Sequence, residues 1–184
     1  MEKLRNLLSE LNADSKKEEI ERVFKDIAET LLFKSYIETA SDKFRLLEIE
    51  FYFKNENHDD TVTIVRKEEA AMWWLHDWGV DITFKSNGKD CCGGVLVRSM
   101  ISLSDNTITS GPRNCCWELF YSSALDSSQA PRIVCDSQAC KYSGEMGTMK
   151  RYITGRTKGI DEEYRYYVKG LNVDWEPIPT PSKK

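Results

Sequence analysis

With 184 residues, 40% of them hydrophobic and 11% aromatic, the chain is sized for one domain with a sizeable core. A formal net charge of -4 and a pI near 5.4 exclude a protein whose affinity comes from coating phosphates with lysine and arginine. No run is apolar enough to span a membrane, and the N-terminus MEKLRNLLSELN lacks the apolar stretch and cleavage site of a signal peptide. An intracellular protein, cytoplasmic or nuclear and not secreted, is expected.

Residues 3 to 12 alternate charge with Leu at helical spacing, and Asn12-Ala13-Asp14 breaks the pattern. Ser15 and Glu18 have the spacing of a capping box, which predicts the start of a second helix. Its apolar residues Ile20, Val23, Phe24, Ile27, Ala28, Leu31 and Leu32 recur at helical intervals and predict a core-facing stripe. Phe33 to Thr39 reads as a strand, Ala40 to Lys43 as a turn, and Phe44 to Phe53 as the return arm of a hairpin. Asn55 to Asp60 reads as a polar loop, and Val62 to Val65 alternates like a strand.

Lys67 to Leu75 fits helix or strand equally. Asp81 to Phe84 and the Val-rich Gly93 to Ile101 predict strands on either side of the turn Ser86-Asn87-Gly88. Gly111-Pro112 punctuates, and Asn114 to Tyr121 reads as helix. Ser122 to Gln138 and Gly144 to Tyr152 show no clear period, Glu163 to Lys169 is the last firm element, and the chain ends in a Pro-rich tail. The elements predict an α+β fold with one domain over 1–176, its N-terminal helices within 1–32 and the tail over 177–184.

Six cysteines include the adjacent pairs Cys91-Cys92 and Cys115-Cys116. Adjacent cysteines do not easily reach one ion, no CxxC occurs, and His58 and His76 lie in other contexts. Reduced thiols, no structural metal and no cofactor are expected.

The stretch FRLLEIEFYF carries the chemistry. At a side-chain period of two, Glu48, Glu50 and Tyr52 share one face, while Leu47, Ile49, Phe51 and Phe53 share the other. Phe44 and Leu46 interrupt the polar face, which places the carboxylates in a cleft rather than in open solvent. Carboxylates in clefts are candidates for acid–base work.

Four ordered segments resemble the alkyladenine (3-methyladenine) DNA glycosylase family. Arg45-Leu46-Leu47-Glu48-Ile49-Glu50-Phe51-Tyr52 is similar to its R-x-x-E-x-E-A-Y signature, and Gly94-Val95-Leu96-Val97-Arg98 to its V-L-L-R-A strand. Gly111-Pro112 with Cys116 and Leu119 resembles its G-P-x-K-L-x-x-A-L segment, and Tyr164 to Gly170 resembles its closing L-R-F-Y-V-R-G. The resemblance implies a curved, mainly antiparallel sheet with N-terminal and peripheral helices. It makes Glu50 the base that activates water against C1′ of a flipped-out modified purine nucleotide. Tyr52 becomes the stacking platform, and Arg98 the group that holds the glutamate and its water. Glu48, His58, Asp81 and Trp78 are the further substrate-binding candidates.

The chain departs from the family pattern in two places. The family's base-sandwiching histidine falls at Thr61, with His58 nearby, and its Y-G-M-x-x-x-x-N stretch is shortened to Trp78-Gly79-Val80-Asp81. Plainer readings stand beside the catalytic one: a salt-bridged glutamate pair on an edge strand, packing for Tyr52, a strand-end charge for Arg98, and a core or pocket wall for Trp73, Trp74 and Trp78. Two function classes follow. One is an N-glycosidic hydrolase acting as a monomer on DNA, RNA-linked bases or nucleosides, and the other is a noncatalytic module that binds a nucleobase or a protein.

Overall fold

The computed structural model describes residues 1–121, 130–135, 142–151, 153 and 162–177. The chain opens with α1 (Glu2–Glu10) and α2 (Lys17–Phe33), followed by β1 (Ser35–Glu38) and the long β2 (Lys43–Asn55). Then come β3 (Trp73–His76), β4 (Gly79–Thr83), β5 (Cys91–Ser102), β6 (Ile108–Ser110), α3 (Pro112–Phe120), β7 (Arg132–Cys135), β8 (Glu145–Met149) and β9 (Arg165–Lys169). The strands among these belong to one antiparallel sheet whose main path runs β3-β4-β5-β2-β1-β7. β6 adds to β5, and β9 pairs with both β2 and β8.

The sheet is curled. Trp73 on β3 and Pro131 just ahead of β7 lie at opposite ends of that path, yet the Trp73 indole N–H donates to the Pro131 carbonyl at 2.7 Å. The fold is therefore α+β with a curved antiparallel sheet, as the sequence predicts. None of the described helices is long and apolar enough to cross a membrane.

The stripe read from the sequence makes α2 the roof of the core, since all seven of its predicted apolar residues are buried. Phe24 is the central knob: its ring stacks on Phe51 at 4.3 Å and meets Tyr164 edge-on at 5.1 Å and Phe53 at 6.5 Å. This single residue ties α2 to β2 and to the start of β9. The capping box, however, is not formed, because the N-cap of α2 is Lys16 and no side chain caps the helix. The Ser15 hydroxyl instead accepts the Asn12 N–H at 3.2 Å. Asn55 at the far end of β2 donates to the Asn12 and Ser15 carbonyls at 2.9 and 2.8 Å, so β2 itself pins the linker between the helices.

Other expectations need correction. Val62 to Val65 forms no strand: Asp60 accepts the Val62 N–H and the Thr63 hydroxyl, closing a turn that leaves Ile64 and Val65 exposed. The first hairpin strand begins at Ser35 because α2 runs on to Phe33. β6, β7 and β8 arise in stretches that carry no strand signal, where pairing with β5, β1 and β9 supplies the order that local pattern does not. Of the tail over 177–184, only Pro177 lies within the described residues. Just before it, the Trp175 indole donates to Ser110 on β6 at 3.2 Å.

The strand pattern that looks irregular in sequence resolves in the β2–β5 register. Pairing shifts on both sides of Glu48, so that Leu47 on β2 and Arg98 on β5 are skipped. Phe44 and Leu46 before the shift, and Ile49, Phe51 and Phe53 after it, all join the core, while buried Leu47 stays outside it. The slip changes the phase of the strand by one residue, which is how a sequence with apolar residues at both parities keeps one apolar face.

Phe24→Ala is expected to cost about 3 to 5 kcal/mol, the usual range for a buried phenylalanine whose neighbours cannot collapse into the space. Chemical denaturation measures it. A loss below about 1 kcal/mol would show that Phe24 is not the knob that joins helix to sheet.

Candidate active site

Directly paired residues of an antiparallel sheet project to the same face. The register therefore writes out one row across five strands' worth of chemistry: Arg165 is opposite Glu50, Glu50 opposite Leu96, Leu96 opposite Asp81, and Asp81 opposite Trp74. Tyr52 and Arg98 lie two residues from Glu50 and Leu96 on their strands and share this face. It is the face away from Ile49, Phe51 and Phe53.

Arg98 is the bridge between the two glutamates. Its Nε donates to Glu48 Oε1 at 3.1 Å and its Nη1 to Glu50 Oε2 at 2.5 Å. The other Glu50 oxygen accepts the Tyr52 hydroxyl at 2.9 Å. Glu48 also accepts the Ser99 hydroxyl at 2.9 Å and the Arg165 Nε. Glu50 is completely shielded from solvent, and Glu48, Arg98 and Arg165 are buried as well.

Behind Tyr52 stands a second pair. Arg151 donates to both oxygens of Asp60, at 2.5 and 3.3 Å, and to the Phe51 carbonyl at 3.2 Å. Its guanidinium lies over the Tyr52 ring at 5.1 Å and over the Tyr164 ring at 5.5 Å. Three carboxylates, Glu48, Glu50 and Asp60, thus meet three guanidinium groups, from Arg98, Arg165 and Arg151, in a region closed to water. Such a cluster is tolerable only because every acid in it is paired.

Burial pushes the Glu50 carboxyl above its ordinary value, against the pull of Arg98 in the other direction. Burial and the neighbouring Glu50 hold Tyr52 well above the ordinary phenol value, so it stays a neutral donor to the carboxylate. A carboxylate has about four acceptor positions, and Tyr52 and Arg98 occupy one on each Glu50 oxygen. The remaining lone pairs can take a water proton.

Asp81 and Trp78 sit farther along the same surface. The Asp81 carboxylate accepts Arg66 Nη2 at 2.8 Å and faces His76 Nε2 at 3.2 Å. Because His76 Nδ1 accepts the Trp78 N–H at 3.3 Å, the proton of the neutral ring sits on Nε2, where it donates to Asp81. Arg66 lies over the Trp74 ring at 4.1 Å, and a Cβ on Gly94 would come within 2.8 Å of both Arg66 Nη2 and Asp81 Oδ2. Glycine at 94 is what allows this ion pair to lie flat on β5. Trp78, at the tip of the β3–β4 hairpin, is 60% exposed.

The structure thus brings Glu48, Glu50, Tyr52 and Arg98 into one hydrogen-bonded group, with Asp81 on the same face one strand beyond β5. His58 does not join them: its ring nitrogens face the Phe53 carbonyl at 2.9 Å and the Tyr164 hydroxyl at 3.0 Å, beneath the site. Arg165 has a sequence signal, since it falls within the segment Tyr164 to Gly170. Arg151, Asp60 and Arg66 have none, because their roles arise from loops that fold back onto the sheet. Among the described residues no group of three or more His, Cys, Asp or Glu side chains could hold a metal ion. Cys91, Cys92, Cys115 and Cys116 carry free thiols, and Cys140 lies outside the described residues.

No protein-family model matches the chain. It is 31% identical, over an alignment of 118 positions, to an uncharacterized protein of Acanthamoeba polyphaga mimivirus, a match covering 51% of this chain and 55% of that protein. The chain spans little more than half the length of this relative.

Glu48→Gln is expected to destabilise the fold by about 3 to 5 kcal/mol, because it leaves the Arg98 and Arg165 charges in the interior without their shared partner. Adding Arg165→Met should recover part of that loss. A double-mutant cycle in denaturant reads the coupling, and strictly additive losses would contradict the shared-partner geometry.

Proposed function

We propose that the chain hydrolyses an N-glycosidic bond, with a modified purine nucleotide as substrate and Glu50 as the base that activates water, in the manner of the 3-methyladenine DNA glycosylases it resembles. The observation that carries this reading is the Glu50 carboxylate held between Arg98 at 2.5 Å and the Tyr52 hydroxyl at 2.9 Å, on the side of the sheet opposite the core. Breaking the bond between sugar and base builds positive charge on the ribose ring and needs an activated water on its far side. A carboxylate fixed by an arginine and shielded from bulk water supplies both the proton acceptor and the negative charge. Desolvation strengthens Glu50 as a base, and Arg98 keeps it ionised and aimed.

In this reading the row from Glu50 to Asp81 measures the depth of the site: the sugar lies against Glu50, and the extruded base reaches toward Asp81 and Trp74. Tyr52 carries Arg151 over its ring and its hydroxyl is bound to Glu50, so it serves as much to orient the carboxylate as to stack. Base excision from DNA is the biological role the resemblance supplies.

One observation favours a second reading, a noncatalytic module that binds a nucleobase or a protein partner. Glu50 is fully shielded and both of its oxygens are engaged, so turnover requires the covering groups to open. The two readings differ in a single experiment. Incubated with alkylated and deaminated oligonucleotides and with nucleosides, the wild type should release free base, and Glu50→Gln should lower that release by about a hundredfold or more. Because only ionised Glu50 accepts a proton, activity should fall as the pH drops through its pKa, and the midpoint should lie above the ordinary carboxylate value. Release by Glu50→Gln at the wild-type rate would move the base elsewhere, with Glu48 next to test. A wild type silent on every substrate would favour the binding module.

A further inference from the structure

The pairing with Glu48 uses only one corner of Arg165. The side chain is fully shielded from solvent, and its Nε is the donor to Glu48. Nη1 and Nη2, which carry most of the N–H bonds of a guanidinium, are buried with no acceptor facing either. Among the described residues Arg165 is the one arginine with both terminal nitrogens in that state. Buried donors left unpaired destabilise a fold, and Glu48 does not require them, since Arg98 and Ser99 already donate to it. The two nitrogens form the outer edge of the guanidinium, whose parallel N–H bonds suit a pair of oxygen acceptors.

The sheet sets where this edge lies. Arg165 is paired with Glu50 of β2 on one side and with Met149 of β8, which brings no charge, on the other. Its own charge reaches Glu50: burial raises that carboxyl, and Arg98, Tyr52 and Arg165 pull against the rise. β9 borders β2 on the side away from β5, so along the row Arg165 and Asp81 stand on opposite sides of Glu50. Neighbouring strands are about 4.8 Å apart, which puts Arg165 one short step from the carboxylate. A substrate with its sugar at Glu50 and its base toward Asp81 therefore turns the far side of the sugar, with its 3′ and 5′ oxygens, toward Arg165. Entry requires the same opening that gives access to Glu50.

We infer that Nη1 and Nη2 of Arg165 donate to those sugar oxygens and that the substrate is a free nucleoside, with hydroxyls at its 3′ and 5′ positions; the inference rests on the glycosidic-bond reading of the Glu50 site and narrows its substrate. Charge selects hydroxyl over phosphate. Glu48, Glu50 and Asp60 are already matched by Arg98, Arg165 and Arg151, so the cluster is neutral as it stands. A hydroxyl supplies the lone pairs that Nη1 and Nη2 lack and leaves that balance intact. A phosphate supplies lone pairs too, but adds uncompensated negative charge beside Glu48 and Glu50. The chain as a whole, at a net charge of -4, is no better suited to a polymer of phosphates.

Base release from inosine, inosine 5′-monophosphate and an oligonucleotide containing inosine tests this with one base throughout. The nucleoside should show a kcat/KM about tenfold or more above the other two, the scale of an uncompensated buried charge. Wild type should also lose about tenfold on 3′-deoxyinosine or 5′-deoxyinosine, each of which lacks one of the oxygens. Arg165→Lys keeps a cation beside Glu48 but not the paired edge. It should raise KM for inosine about tenfold with kcat within about threefold, and make little further difference on the deoxy analogue that wild type handles poorly. Circular dichroism checks its fold, and the wild-type arms decide if it does not fold. A monophosphate or oligonucleotide hydrolysed as well as inosine, deoxy analogues as good as inosine, or a folded Arg165→Lys with wild-type KM would overturn the inference. Formycin A, whose base is joined to the sugar through carbon and is not released, separates it from the glycosidic reading. In calorimetry wild type should bind formycin A about tenfold or more tightly than its 5′-monophosphate, and Arg165→Lys should lose that advantage. This contrast without base release from any substrate would fail the glycosidic reading alone. Release from the oligonucleotide but not from inosine would fail this inference alone, and neither binding nor release would end both.

Discussion

The buried bridge from Arg98 to Glu48 and Glu50 is the constraint on which the middle of this molecule depends. Two carboxylates within reach of one guanidinium cannot be left in a low-dielectric region with a net charge, so a second arginine must come to Glu48. Arg165 fills that place from β9, which fixes where the last strand pairs on β2. The hydroxyls of Ser99 and Tyr52 take the remaining oxygens. An apolar cluster of the same volume would hold the strands together as well, so stability alone does not explain the charges. In the proposed reaction they hold a carboxylate at a fixed point on the sheet.

The double register shift around Glu48 is the backbone side of the same constraint. With Leu47 and Arg98 skipped from pairing, the strands bend locally, and the Arg98 side chain straddles the positions of both glutamates. A regular ladder would place a residue of β5 opposite each residue of β2 and leave no side chain free to span two of them. Irregular pairing next to a polar cluster is a recurring way of aiming a side chain. Here it also rescues the core, since it lets Phe44 and Leu46 point the same way as Ile49 and Phe51.

Much of this was legible in the sequence, and the part that was not has a physical reason. The stripe of α2, the strands containing Glu50 and Arg98, and the placing of Glu48, Glu50 and Tyr52 together follow from periodicity, which reports one element at a time. The capping box at Ser15 failed where the distant Asn55 claimed that backbone segment, and the strand at Val62 to Val65 failed because Asp60, two residues upstream, closes a turn there. Arg151 was invisible because its partner Asp60 lies 91 residues away in the chain. His58 was drawn toward the site by its nearness in sequence, yet Tyr164 and the Phe53 carbonyl hold it beneath the sheet. Nothing in local pattern distinguishes a histidine that faces a site from one that braces the strand below it.

The glycosidic reading carries one requirement. Shielding makes Glu50 a stronger base, but a shielded carboxylate meets its substrate only when something drives the cover open, and that driving force must come from contacts made elsewhere. Contacts through phosphates are poorly suited to this protein, whose net charge is negative. The rings of Trp74, His76 and Trp78 run from the row that contains Glu50 to the exposed hairpin tip, at successive centroid distances of 4.9 and 6.2 Å.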